Sequence, residues 1–163
     1  MVAARYTRVL CEENSVKYKA VIVLLALAMN SSVSAEQLSD ASNFREYDEL
    51  LASAGQPSAA QLEDARALGF ERVIYLAFTD NHTAIDDEDR VVKKLGMDYI
   101  HIPVDFEQPT LTDFKTFIGV MSEDNTTKTL VHCQVNFRAS TFVFLYRVAI
   151  QGVPMLKAKD DLD

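Results

Sequence analysis

Two cysteines and three scattered histidines in 163 residues offer neither a disulfide framework nor a metal-ligand spacing. With only 5 glycines and 4 prolines, the chain is poor in the residues that make fibres and disordered linkers. It also lacks a lysine- or arginine-rich block. Sixteen basic residues face 24 acidic ones, for a formal net charge of −8. A duplex-binding protein needs a basic face to displace counterions, so nucleic acid is not an expected partner. What remains, 48% apolar and 25% charged residues, is the composition of one globular domain.

No apolar run is long enough to span a membrane. The longest, Ala20–Met29, would rise about 15 Å as a helix, roughly half of a bilayer core. Lys17 and Lys19 precede it, and Val33-Ser34-Ala35 follows with small residues. A basic region, an apolar stretch and a small-residue cleavage site describe a secretory signal peptide over residues 1–35 rather than a buried helix. Glu12 and Glu13 do not suit a basic leader, so residues 1–15 read as an extension ahead of a start at Val16. Removal of the leader leaves a single domain, residues 36–163, with 12 basic and 22 acidic side chains. The expected location is periplasmic or secreted, with no stable membrane span after processing. Cys133 is then the only cysteine, and an unpaired thiol in an oxidising compartment points to a reactive group or an intermolecular bridge.

Helix and strand signals alternate along the rest of the chain. Ser58-Ala-Ala-Gln61 is a capping box opening a helix over Ala59–Leu68, with Gly69 as its stop. Arg72–Ala77 is β-branched and aromatic, a strand. Asp86–Leu95 carries acids first and Lys93 and Lys94 last, as a helix dipole favours, and Gly96 ends it. Met97–Ile102 reads as a strand, Thr110 caps a helix from Leu111 to Met121, and Lys128–Cys133 is a third strand. Arg138–Ile150 is apolar nearly all round and is expected to be a buried helix. The acidic end, residues 157–163, reads as a frayed helix or tail. This alternation predicts an α/β fold with a mainly parallel central sheet and helices on both faces. Ligands in such sheets bind beyond the C-terminal strand ends, which is where Cys133 falls.

The stretch His132-Cys133-Gln-Val-Asn-Phe-Arg138-Ala-Ser140 is the most informative. A short loop from strand to helix turns backbone N–H groups inward, and the helix N-terminus adds partial positive charge. Such a cradle suits a tetrahedral anion and also stabilises a thiolate. Arg138 can hold two anion oxygens with its planar fork. Ser140 can donate to the thiolate or help protonate a leaving group.

These residues resemble the phosphate-binding loop of cysteine-dependent phosphatases, His-Cys-x5-Arg-Ser/Thr. More closely, the chain resembles a small bacterial phosphatase-like family of the dual-specificity and tyrosine-phosphatase type, related to the N-terminal domain of beta-lactamase-hydrolase-like proteins. Members of that family are similar in having a Cys-x4-Arg loop. The resemblance spans residues 43–154 and includes Ser53-Ala-Gly-Gln56-Pro57, Tyr99-Ile-His-Ile-Pro-Val-Asp105 and Val131–Ser140. Two departures from the standard loop stand out. Four residues, not five, separate Cys133 from Arg138, and Asn136 stands where a glycine is usual. Asparagine is the best non-glycine occupant of a left-handed conformation, so the turn can still form.

The resemblance implies Cys133 as nucleophile, Arg138 with the loop residues Gln134, Val135, Asn136 and Phe137 as the phosphate cradle, and Asp105 as general acid, with Glu107 as the fallback. His132 and Ser140 would support the loop, and Gln56 follows from its motif alone. His101 is expected to be a sheet residue, and His82 to sit at the rim. No metal or cofactor is expected. The partner would be a phosphorylated substrate, or inorganic phosphate or sulfate. Two alternatives stay open: a rhodanese-like sulfurtransferase, which shares the Cys-x4-Arg spacing, and a domain that binds anions without turning them over.

Overall fold

In a computed structural model of the protein, residues 36–162 are described. The expected signal peptide and alternative start lie outside these residues. A 3-10 turn, Leu38–Asp40, leads into strands β1 (Arg45–Asp48) and β2 (Leu51–Ala54). There follow helix α1 (Ala59–Ala67), strand β3 (Arg72–Tyr75), helix α2 (Glu88–Lys94) and strand β4 (Asp98–His101). Helix α3 (Leu111–Glu123), strand β5 (Thr129–His132), helix α4 (Phe137–Ala149) and helix α5 (Met155–Asp160) complete the order.

The five strands form one sheet in the order β1-β2-β5-β3-β4. β1 and β2 are an antiparallel hairpin, and the other pairings are parallel. Alternation along each strand divides the core between the two faces. Leu51, Ile74 and Val131 face α3 and α4, packing with Phe117, Phe142, Val143 and Tyr146. Ala52, Val73 and Leu130 face α1 and α2, packing with Leu62, Ala65 and Val92. The mainly parallel sheet and its two helical layers are therefore as the sequence predicts.

Local signals act where they were read. Ser58 Oγ accepts from Gln61 N at 3.2 Å while Gln61 Oε1 accepts from Ser58 N at 2.9 Å. Thr110 and Asp113 form the same reciprocal box at the head of α3. At the far end of α3, Arg72 donates to the carbonyls of Val120 and Asp124, a cation placed where unpaired carbonyls gather.

Three expectations are corrected. α2 starts at Glu88, two residues late, because Asp87 turns left-handed at φ 54° and caps the helix through its backbone instead of its side chain. α4 is not buried all round: Ala139, Phe142, Val143 and Tyr146 form the inner stripe, while Phe137, Leu145 and Ile150 are exposed beside or beyond it. The C-terminal segment is a helix, one of its two expected forms, but it is anchored instead of frayed. Ala158 is buried, Asp161 pairs with Arg147, and Arg45 donates to the Asp161 carbonyl.

The parallel register brings four strand ends into one row. Ala54, His132, Tyr75 and His101 lie side by side across β2, β5, β3 and β4. The rings of His132, Tyr75 and His101 stack along that row, at centroid separations of 4.6 and 5.2 Å. The next residue on the central strand is Cys133.

Candidate active site

β5 ends because its chain must turn into α4, and Asn136 makes that turn. It adopts φ 75°, the left-handed region, where a short amide side chain costs least after glycine. Its Nδ2 donates to the Asn43 carbonyl at 2.5 Å. Asn43, itself left-handed at φ 52°, returns a bond from its own Nδ2 to the Val135 carbonyl at 3.0 Å. The turn thus forms without glycine, as the sequence predicts. Asn136 is buried, and its side chain serves the turn; it does not line the pocket.

The Ser53–Pro57 segment backs the loop from the neighbouring strand. Cys133 N donates to Ala54 O at 3.3 Å, Gln56 N donates to Gln134 O at 3.2 Å, and Gly55 N donates to Ser42 O at 2.6 Å. Gly55 has no room for a side chain: a Cβ there would stand 2.8 Å from Ser42 Cβ and 3.2 Å from the Gln134 carbonyl. The motif containing Gln56 is therefore the floor against which the cysteine loop is set.

Cys133 is 1% exposed as a whole residue and lines a pocket of about 210 Å³ with Phe106, Gln134, Val135, Phe137 and Arg138. Four of the five cradle residues named from sequence, and the cysteine itself, meet in this one cavity. Arg138, in the first turn of α4, donates through Nη1 to the Val104 carbonyl at 2.9 Å. Its guanidinium carbon lies 5.6 Å from the Phe106 ring centroid, an arrangement that fixes the fork's plane while leaving donors for an anion. Phe106 was not singled out from sequence. It follows Asp105 on an exposed loop, and its ring shares the pocket with Cys133.

The remaining predicted residues do not line this pocket. Asp105 is exposed, and its Oδ1 accepts from Glu107 N at 2.8 Å and Gln108 N at 3.2 Å, so it currently shapes its own turn one residue from the wall. Ser140 Oγ donates to the Phe137 carbonyl at 3.3 Å, within the first turn of α4. His82 lies at the rim, with Nδ1 3.3 Å from Gln134 Nε2. His101 is a sheet-end residue whose Nε2 is 2.7 Å from the Ala77 carbonyl.

His132 is fully buried behind Cys133, its Nε2 2.8 Å from Oε1 of Glu88. The contact is close but not aligned as a hydrogen bond, and neither atom, nor Nδ1 of His132, has a hydrogen-bond partner among the described residues. Glu88 is also buried, and its Oε2 accepts from Gln56 Nε2 at 3.0 Å. Nearby, burial raises the pKa of Tyr75 and Tyr99, and the negative charge of Glu88 adds to both. These phenols therefore stay protonated through the neutral range. Glu88 was legible only as a first-turn acid; nothing in its local sequence marks it as buried beside the loop.

The sequence matches the family described as "DSP-PTPase phosphatase fused to NAD+ Kinase" over residues 23–161. Among solved structures, a DUF442 protein from Shewanella putrefaciens CN-32, named as a candidate phosphatase, is 32% identical with a TM-score of 0.71, covering 77% of this chain and 83% of that one. A cysteine-to-serine variant of P. aeruginosa TpbA in complex with phosphotyrosine is 16% identical with a TM-score of 0.61, covering 82% of this chain and 79% of that one. Kinase associated phosphatase, with its catalytic-site cysteine replaced by serine, is 11% identical with a TM-score of 0.62, covering 75% and 82%. The last two likenesses are of fold. No curated protein sequence matches the chain.

Proposed function

The chain belongs to the DSP-PTPase phosphatase family, and from that premise we propose that it hydrolyses phosphate monoesters through a phosphocysteine at Cys133. The observation carrying this reading is the meeting of Cys133, Arg138 and the loop in one small pocket at the head of α4. The Cys133 thiolate attacks phosphorus as the ester P–O bond breaks. Arg138 and the inward N–H groups hold the equatorial oxygens, where preorganised donors do most for the transition state. Asp105 swings from its turn to protonate the leaving oxygen. Water then attacks phosphorus, Asp105 takes its proton, and the S–P bond breaks to release phosphate. None of these steps needs a metal.

The rim of Phe106, Val135 and Phe137 favours an aryl leaving group such as phosphotyrosine, because flat rings pack well between aromatic side chains. An acidic protein repels a dianion at long range, so the local field of the helix and Arg138 must dominate at the pocket. The protein acts outside the cytoplasm, delivered by its first 35 residues. Protein isolated from the exported fraction should begin at Glu36.

A second reading, anion binding without turnover, draws support from one observation: Asp105 is occupied by its own loop. Turnover of a generic aryl phosphate by the full chain under reducing conditions, beside Cys133→Ser, separates the two. Activity in the parent that vanishes in the variant, with phosphate binding kept, supports the phosphatase. Phosphate binding with no turnover in the parent supports the second reading. Sulfur moved from thiosulfate to cyanide would instead favour a sulfurtransferase.

A further inference from the structure

We propose that Glu88 is a positioning residue for the chemistry at Cys133, holding the cysteine from both sides through His132 and Gln56. The inference rests on Cys133 being the reactive group. On one side of the cysteine, Glu88 Oε1 stands 2.8 Å from His132 Nε2. On the other, Glu88 Oε2 accepts from the Gln56 side chain at 3.0 Å, and the Gln56 backbone donates to the Gln134 carbonyl at 3.2 Å. One buried carboxylate is thereby connected to the residue before Cys133 and to the residue after it.

Stability alone does not account for such a group. Taking a carboxyl group out of water is costly, and buried polar groups rarely outperform apolar side chains of the same shape. His132 and Glu88 are 0% and 5% exposed, so the desolvation is nearly complete. The His132 ring is held flat on Tyr75, at an interplanar angle of 16°, and the close contact with Glu88 limits its movement in the ring plane. What the network restrains is the backbone on each side of the thiol.

Apart from Gln134, the anion cradle is held by other contacts. Arg138 is tied to Val104, and the α4 turn is tied to Asn43; none of these touches Glu88. Loss of Glu88 should therefore misplace the nucleophile while sparing the Arg138 fork and the α4 turn that hold the oxygens. A small misplacement of a reacting atom can lower the rate by about 10²-fold.

The experiment compares the full chain with Glu88→Gln, Gln56→Ala and the double variant. Steady-state kinetics on an aryl phosphate is combined with the rate of iodoacetamide alkylation at Cys133, read on its own peptide by mass spectrometry. Glu88→Gln should lower kcat at least tenfold with KM and the inhibition constant of inorganic phosphate within twofold. Alkylation should slow in parallel, and the double variant should be no worse than Glu88→Gln. Equal kcat and alkylation in the parent and Glu88→Gln would overturn the proposal, as would a loss confined to KM. Should Glu88→Gln not fold, Gln56→Ala carries the test, with a smaller fall in kcat and alkylation expected and unchanged rates overturning it. If the parent turns over no phosphate ester, the alkylation rates still decide the positioning role, so the two failures are distinguishable.

Discussion

Asn43 and Asn136, 93 residues apart in the chain, clasp one another with both side-chain amides. Asn136 donates to the Asn43 carbonyl, and Asn43 donates to the carbonyl of Val135, the residue before Asn136. Both are left-handed, so each relies on the other's contact to hold a backbone shape that most side chains resist. The clasp ties the segment before β1 to the turn that aims Cys133.

This predicts an order among substitutions at position 136. Asn136→Gly should keep the turn and lose only the amide bond, costing about 0.5–1.5 kcal/mol. Asn136→Ala loses the bond and keeps a Cβ in the left-handed region without the short amide that makes asparagine tolerant there, adding about 1–2 kcal/mol relative to glycine. Urea midpoints should rank parent, glycine, alanine; alanine at least as stable as glycine would contradict the account.

At Gly55 the obstacle is space, because its φ is not left-handed. Gly55→Ala must push Ser42 or the Gln134 carbonyl aside, an overpacking cost of about 1–3 kcal/mol. Activity should fall with stability, since Gln134 adjoins the cysteine. A thermal melt and kcat measured together test this, and an active variant of full stability would refute it.

Asp105→Asn should show its effect through the leaving group. With an alkyl phosphate, whose oxygen needs a proton as it departs, kcat should drop by about 10²–10⁴-fold. A nitrophenyl ester, with its stable phenolate, should be nearly spared. Equal losses for both esters would remove Asp105 from the role.

Asp124 makes a pH-dependent contribution. Bonds from the Thr127 and Thr126 hydroxyls and the Thr126 N–H hold its carboxyl well below the usual 3.8. A lowered value in the folded state means that the charged form stabilises the fold above the unfolded value, and that this contribution fades as pH falls through the folded one. Asp124→Asn should thus be less stable than the parent at about pH 6, with the gap narrowing at about pH 2.5. Chemical denaturation at the two pH values measures the gap, and a constant difference would argue against the assignment.

How far the sequence could be read depended on how local each cause was. Ser58 with Gln61, Thr110, Gly69 and Gly96 act within one turn of chain, and each helix end they mark lies where expected or within two residues. The Cys133–Arg138 loop was legible because its chemistry is written in consecutive residues. The β1–β2 hairpin was not. Arg45-Glu-Tyr-Asp and Leu51-Ala-Ser-Ala carry little strand propensity, and β2 is a strand because β5 pairs with it. Phe106 and Glu88 escaped notice for the same reason, since each acquires its place only when distant elements pack.

β5 occupies the middle of the sheet, bonded to β2 on one side and β3 on the other. Its backbone amides can meet solvent only when one of those ladders opens, which in a small domain comes close to global unfolding. Leu130 and Val131 should be among the slowest residues to exchange their amide hydrogens for deuterium. Cys133, at the end of that strand, is consequently shut off from reagents arriving by local breathing of the sheet. Whatever oxidises or alkylates this thiol in the folded protein has to come in through the mouth between Phe106 and Phe137, and its size is screened there.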